Sequence, residues 1–252
     1  MRLGPPAPAG PAPTDVAAAL VDAQQRLGHR PAVTVLSVRG REEQGVASLA
    51  QWAAKGAHLL ELDYLLEPGE AIRLDAPLSW TTAAVCLAAW WAGLVVDLDG
   101  GHEVDGDVRD GGDDRVGGEV AVAVVHEDRE PPAGVDEVLR LGDAIDGAPV
   151  DSVPGEPWVR AVQAFPDQPP TPRCGPQTMA VRAGGRSWTQ ADLLGVAADQ
   201  GAGTLGLDAR EVEVVTGIVA VALRPLVVGR PTVVLRDVER DRAGGERVST
   251  WL

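Results

Sequence analysis

Apolar residues follow two different periods along the chain, and their order predicts the fold class. Residues 32–38 (AVTVLSV) form a continuous apolar run rich in β-branched residues, which is typical of a buried strand. Before it, a helical pattern extends to about Leu27, with Thr14 or Asp15 as its cap. Residues 85–98 (VCLAAWWAGLVVDL) read as an apolar helix, a glycine and a strand. This alternation predicts an α/β fold with mainly parallel sheets flanked by helices.

Two pairs of matching segments indicate an internal repeat. SLAQW at 48–52 and TQADL at 189–193 each begin with a hydroxyl residue that is followed, three positions later, by an amide or acid. This spacing is typical of a capping box, so both segments predict the start of a helix. LEPGEAIRL at 66–74 is matched with LDAREVEVV at 207–215, and each is interpreted as a turn followed by a short strand.

A third match completes the repeated unit. The helix, glycine and strand of residues 85–98 correspond to VALRPLVVGRPTVVL at 221–235. A glycine just past a helix supplies the left-handed conformation that ends it. The matches predict two related α/β subdomains, at 14–150 and 151–252.

Two segments are predicted to lie outside the packed core. Residues 1–13 are rich in proline, alanine and glycine, and we expect them to be disordered. Residues 97–118 are rich in aspartate and glycine, but the spacing from Asp105 to Asp110 does not meet that of an EF-hand calcium loop. A solvated acidic loop is the favoured interpretation.

Charge and cysteine content exclude several classes of function. The formal net charge of −15 argues against nucleic acids and anionic membranes as partners, because both are bound by basic surfaces. No apolar run reaches the roughly 20 residues of a membrane span. Two cysteines do not make a disulfide framework, so we expect a cytoplasmic protein. The four histidines are scattered without the spacing of a metal site, and no metal is predicted.

The stretch GGRSWTQADLLG, at 184–195, has two interpretations. Glycines, hydroxyls and an arginine before a helix resemble a phosphate-binding loop. The favoured interpretation is a glycine turn followed by a helix capped by Thr189. An anion site at this helix end, assisted by Arg182 or Arg186, stays open as the alternative.

Trp90 and Trp91 are the candidates for an apolar site. They are neighbours in an apolar helical run, so their side chains point about 100° apart around the helix. Packing in the core is one interpretation. A subunit interface or an apolar ligand pocket is the other.

Residues 48–98 suggest a family. The capped helix at Ser48, the PGEAIRL turn and strand, and the helix, Ala-Gly and strand at 85–98 resemble the N-terminal part of the AMP-binding, acyl-adenylate-forming enzymes. The chain is most similar to a short, uncharacterised actinobacterial branch of that superfamily. The resemblance implies two subdomains packed back to back, as in the family's large domain, which agrees with the repeat.

The residues that carry the family's chemistry have no counterpart here. The family holds ATP phosphates with a Ser/Thr/Gly-rich loop ending in Pro-Lys-Gly, but residues 170–186 contain no lysine. Lys55, the only lysine, and Tyr64, the only tyrosine, match no family motif. The resemblance therefore implies no catalytic residue and no firm cofactor.

Three hypotheses follow. The chain is a truncated, non-catalytic homologue that binds a small ligand or a protein, or it is an ATP-dependent acyl-adenylating enzyme with an atypical phosphate site. Only the second hypothesis requires ATP or AMP with magnesium. The third is an interaction protein that uses a tryptophan-bearing face, and a homo-oligomer is left open. The first is preferred.

Overall fold

The computed structural model describes residues 12–99, 120–142 and 154–252 as helices and strands joined by short connections. The helices are α1 Val16–Leu27, α2 Val46–His58, α3 Trp80–Trp91, α4 Trp158–Ala161, α5 Gln190–Asp199, α6 Val214–Ala222 and α7 Arg224–Val228. The strands are β1 Pro31–Ser37, β2 Gly40–Gly45, β3 Ala71–Asp75, β4 Val95–Asp97, β5 Val120–His126, β6 Glu137–Leu141, β7 Glu156–Pro157, β8 Met179–Ala183, β9 Arg186–Thr189, β10 Leu205–Asp208, β11 Thr232–Leu235 and β12 Thr250–Trp251. Most of the expected N-terminal tail 1–13 and acidic loop 97–118 lie outside the described residues.

The strands form two sheets. One has five strands in the order β12-β10-β11-β1-β2, and the other has seven in the order β7-β6-β5-β3-β4-β8-β9. Only the hairpins β1–β2 and β8–β9 are antiparallel, and the other strand pairs of the described residues are parallel. The predicted class, an α/β fold with mainly parallel sheets flanked by helices, is confirmed.

Each sheet takes strands from both halves of the chain. Hairpin β1–β2 pairs with β11, which comes late in the chain, and hairpin β8–β9 pairs with the early strand β4. Both halves repeat one order of elements: a hairpin, a helix, a strand, a helical segment and a second strand. In each half the two strands that follow the hairpin belong to the opposite sheet. The two halves therefore exchange hairpins. The expected boundary near residue 150 lies outside the described residues and stays a prediction.

Two of the expected matches are wrong in detail. Residues 207–215 are not a turn followed by a strand, because β10 ends at Asp208 and α6 begins at Val214. Ser48 is not a helix cap, because α2 begins two residues earlier, and its hydroxyl donates to the Gln44 side chain at 2.6 Å. The carbonyls of Arg30 and Gly28 accept the first N–H groups of α2, so no side-chain cap is needed.

The helices between the sheets form the core. Every residue of α3 is buried, so this helix lies at the centre of the fold. Gly93 follows α3 and Gly229 follows α7, and both have positive φ, 78° and 72° respectively. Both helices therefore end as the sequence predicts. None of the helices within the described ranges has the length and apolarity that a membrane crossing requires.

Helices α2 and α3 pack so closely that Gly56 cannot carry a side chain without a shift. A Cβ atom at this position would lie 2.8 Å from the Cβ of Ala88. We expect Gly56→Ala to destabilise the protein by about 1–3 kcal/mol, because overpacking outweighs the gain in helix propensity. Chemical denaturation measures this free energy of unfolding.

Gly195 provides the matched control. It lies inside α5, and a Cβ there would meet no atom within 4 Å. Gly195→Ala should therefore stabilise the protein by about 0.5–1 kcal/mol through helix propensity. Equal effects of the two substitutions would contradict the close packing of α2 against α3.

Candidate functional site

The stretch 184–195 forms a hairpin turn and a helix start. Gly184 and Gly185 have φ values of 57° and 70° and connect β8 to β9 in two residues. Consecutive positive φ angles suit the twist of a tight hairpin, which explains the glycine pair. The N–H of Gly184 donates to the carboxylate of Asp99, so the turn is docked on the end of β4.

Thr189 caps α5, as the sequence predicts. Its hydroxyl accepts from the N–H of Asp192, and its own N–H donates to the Asp192 carboxylate at 2.9 Å. The Thr189 N–H and the Thr189 hydroxyl, which also donates to the Asp192 carboxylate at 2.7 Å, lower the pKa of Asp192. The N–H groups of Gln190 and Ala191 donate to the carbonyls of Thr178 and Pro176. The first turn of α5 therefore leaves none of its first three N–H groups for an anion.

Arg182 and Arg186 do not converge on one site. Strand pairing places Arg182 opposite Ser187 and Arg186 opposite Ala183, so the two arginines lie on opposite faces of the hairpin. Arg182 shares its face with Asp97, its neighbour on β4. Of the three candidate ligand residues Arg182, Arg186 and Thr189, only Arg186 lines the cleft that is bordered by the start of α6.

This cleft, which we call the hairpin cleft, has a volume of about 480 Å³. It lies between the hairpin β8–β9, helix α5 and the start of α6. Its lining residues are Ala183, Gly184, Arg186, Trp188, Val196, Glu213, Val214, Val215 and Thr216. The volume is in the range typical of small-molecule pockets.

Two charged groups face each other in the hairpin cleft. The guanidinium of Arg186 lies 4.8 Å from the centre of the Trp188 ring, which orients it by a cation–π contact. Glu213 caps α6 by accepting the N–H groups of Val215 at 3.0 Å and Thr216 at 2.7 Å. Burial alone would raise the pKa of Glu213, but these hydrogen bonds lower it. Glu213 therefore stays charged while it caps the helix.

Trp90 and Trp91 lie in the core rather than at the surface. They are 0% and 4% exposed. The indole N–H of Trp90 donates to the carbonyl of Ala180 at 2.8 Å, and that of Trp91 donates to the carbonyl of Pro170 at 2.9 Å. Each indole is thus buried with its polar group satisfied. Neither ring is therefore exposed for an interaction surface built on these two tryptophans.

Sequence reasoning missed Trp188 and Glu213, the two residues that frame Arg186. Each carried a signal. Trp188 is two positions from Arg186 in the short segment between the glycine turn and the helix, and an extended conformation there places both side chains on one face. Glu213 directly precedes an apolar run, a position where an acid stabilises a helix start, but the segment 207–215 was interpreted as a turn and a strand.

Metal and thiol chemistry find no support in the part of the chain that the structure describes. It holds no group of three His, Cys, Asp or Glu residues arranged for a metal ion. Cys86 and Cys174 are unbridged, and burial raises the pKa of both thiols. Neither cysteine has the depressed pKa of a nucleophile.

Comparisons with known proteins agree with this architecture. No family model matches the chain. A "TIGR03089 family protein" of Mycobacterium tuberculosis is 32% identical over 90 residues, which are 34% of this chain and 37% of the relative. An acyl-CoA synthetase of Brucella canis superposes with a TM-score of 0.66 and 15% identity over 92% of this chain. The chain has the fold of the part of this acyl-CoA synthetase that it matches.

The match concerns part of each relative. This chain covers 46% of the synthetase, so it spans about half the length of that protein and 37% of the mycobacterial relative. The fold that the resemblance of residues 48–98 implied is confirmed by this structural match.

Thr189 offers a direct test of the cap. We expect Thr189→Ala to lower the free energy of unfolding by about 1 kcal/mol, because the first turn of α5 loses its side-chain acceptor. Thr189→Ser keeps the hydroxyl and should retain most of the stability. Urea denaturation of both variants measures the difference. If serine and alanine destabilise the protein equally, the hydroxyl is not the capping group.

Proposed function

We propose that this chain is a non-catalytic member of the AMP-binding superfamily that binds a small carboxylic acid with an apolar tail in the hairpin cleft. The observation that carries the proposal is the oriented guanidinium of Arg186 at one side of a cleft of about 480 Å³, whose lining side chains other than Arg186, Glu213 and Thr216 are apolar. An anionic head and an apolar tail complement these two features.

The apolar part of the ligand is matched by the cleft walls. Ala183, Val196, Val214 and Val215 supply aliphatic surface, and the Trp188 ring supplies a flat face. Burial of a ligand's methylene groups here contributes about 0.8 kcal/mol each. An acid with a chain of several carbons therefore gains most of its affinity from this surface.

The position of the charges sets the orientation of the ligand. A ligand carboxylate is attracted by Arg186 and repelled by Glu213. We therefore infer that the acid group lies on the hairpin side of the cleft, with the tail directed towards Val196 and α6. A guanidinium that is held in place by Trp188 loses little freedom on binding.

The absence of adenylation activity is part of the proposal. Where the family has a hydroxyl-rich phosphate loop, this chain has the two-residue turn Gly184-Gly185. Transfer at a phosphate needs cationic groups that take up developing charge. Lys55, the only lysine, lies in α2. Its ammonium donates to the Phe165 carbonyl at 2.6 Å and pairs with Asp167 at 3.0 Å.

The location in the cell is also proposed. Cys86 and Cys174 are both unbridged. Free thiols are the rule in a reducing compartment, which favours the cytoplasm.

The test is a thermal-shift titration with decanoate, AMP and Mg-ATP. We expect decanoate to raise the melting temperature by roughly 5–10 °C at 100 times its dissociation constant. Arg186→Gln should weaken decanoate binding at least ten-fold, because a hydrogen bond to a charged group contributes about 1.5–3 kcal/mol.

Arg182→Gln is the matched control, since Arg182 lies on the opposite face of the same hairpin. It should bind decanoate as the unchanged protein does. Equal binding by the Arg186→Gln variant would overturn the ligand site. Release of pyrophosphate from Mg-ATP in the presence of decanoate would overturn the non-catalytic role.

A further inference from the structure

A second cleft lies where the carboxyl ends of strands from the two sheets face each other. We call it the polar cleft, and its volume is about 240 Å³. One wall follows β3 and β5 of the seven-stranded sheet, and the other follows β10 and β11 of the five-stranded sheet. The lining residues are Pro77, His126, Asp128, Arg129, Ala209, Arg210, Arg236 and Asp237. It shares no residue with the hairpin cleft.

The position of the polar cleft is one that α/β proteins use for ligands. Ligands of open parallel sheets bind outside the carboxyl ends of the strands. Here, four strand ends from two sheets border one cleft. Asp237, in its wall, has a φ of 56°, a conformation that is uncommon for a residue other than glycine. Such backbone conformations concentrate at binding and catalytic sites.

The wall from the seven-stranded sheet is held by a buried arginine. Arg140 is 2% exposed, and its guanidinium donates to the carbonyls of His126 at 3.0 Å and Arg129 at 2.7 Å. It also donates to the carbonyl of Pro154 at 2.7 Å. These bonds fix the backbone that presents Arg129. The Arg129 guanidinium itself is half exposed and contacts Asp75 at 2.7 Å.

The wall from the five-stranded sheet presents a second oriented guanidinium. The carboxylate of Asp208 is 3% exposed and accepts two hydrogen bonds from the Arg210 guanidinium, at 2.9 and 2.7 Å. The hydrogen bonds from Arg210 lower the pKa of Asp208 to about 2, so the carboxylate stays charged at neutral pH. Arg210 is 48% exposed and thus keeps part of its guanidinium accessible.

We infer that the polar cleft binds a small phosphate-bearing anion, clamped between Arg129 of one wall and Arg210 of the other. Each of these guanidiniums is oriented by a carboxylate of its own wall, Asp75 or Asp208, which lowers the entropy lost on binding. Arginine forks match the geometry of phosphate oxygens. Arg236 adds a third cation to the lining.

The arginine donors of the lining favour an anion over a cation. Asp75 and Asp208 balance the charges of Arg129 and Arg210, so the preference comes from hydrogen-bond donors rather than from net charge. Arg210 gives Nε and Nη2 to Asp208, which leaves the N–H groups of Nη1 for an anion, with Glu239 at 3.9 Å. Nowhere in the described ranges do three potential ligating residues group for a metal ion. A volume of about 240 Å³ suits phosphate, pyrophosphate or a short phosphorylated molecule better than a nucleotide.

The test is isothermal titration calorimetry with inorganic phosphate at constant ionic strength, set with chloride. We expect saturable binding by the unchanged protein. Arg129→Gln should weaken it at least ten-fold, and so should the double variant Asp208→Asn with Arg210→Gln. The double variant removes both charges together, so that no buried carboxylate loses its partner. Circular dichroism confirms that each variant is folded.

Arg26→Gln is the matched control, because Arg26 is also half exposed and paired, here with Asp22 on α1. It should bind phosphate with unchanged affinity. The clamp is supported if the variants of both walls lose phosphate binding while Arg26→Gln binds phosphate as the unchanged protein does. The inference is overturned if the unchanged protein binds no phosphate at millimolar concentration. It is equally overturned if the wall variants bind as the unchanged protein does, or if the control loses affinity to the same extent.

Discussion

The hydrogen bonds that join β1 to β11 and β4 to β8 determine how the rest of the molecule is arranged. Through them, each half of the chain completes its sheet with a hairpin from the other half. A parallel ladder cannot form between neighbours in sequence without a crossover, so the helices must cover the connections. Those helices occupy the space between the sheets, where α3 is buried on all sides. The core is therefore shared by both halves.

The exchange also explains where the two clefts lie. One side of the hairpin cleft is the hairpin β8–β9, which pairs with β4 of the seven-stranded sheet. The other side is the start of α6, a helix that connects strands of the five-stranded sheet. The polar cleft has one wall from each sheet. Both clefts are thus places where elements of the two sheets approach each other without pairing. Such boundaries are common positions of ligand sites.

The electrostatic character of both clefts comes from arginine side chains and not from helix ends. The first N–H groups of α2 and α5 donate to carbonyls or to a capping side chain, and Glu213 accepts from two N–H groups of α6. These helix starts consequently have few unpaired N–H groups that could bind an anion. In a chain with a formal net charge of −15, the oriented guanidiniums of Arg129, Arg186 and Arg210 are local exceptions. Each is held by an aromatic ring or a carboxylate.

Local rules predicted much of the fold from the sequence, because the features concerned involve residues close together in the chain. Apolar periodicity predicted the α/β class. The capping box at Thr189, the glycine turn at 184–185 and the helix ends at Gly93 and Gly229 follow from backbone geometry within a few residues. The cap expected at Ser48 failed because carbonyls from the segment before β1 take its place, and no short-range pattern reveals such a contact.

The candidate sites depended on contacts between distant segments. Arg182 and Arg186 look equivalent in the sequence, yet the two-residue period of a strand places them on opposite faces, and only the packing of α6 decides which face borders a cleft. Trp90 and Trp91 were candidates for a surface that the burial of α3 excludes. The sequence by itself determined the α/β class, the mainly parallel sheets and the helix ends at Thr189, Gly93 and Gly229. Only the tertiary structure decided the hairpin exchange and the grouping of arginines, because both arise from pairing and packing between segments that are far apart in the chain.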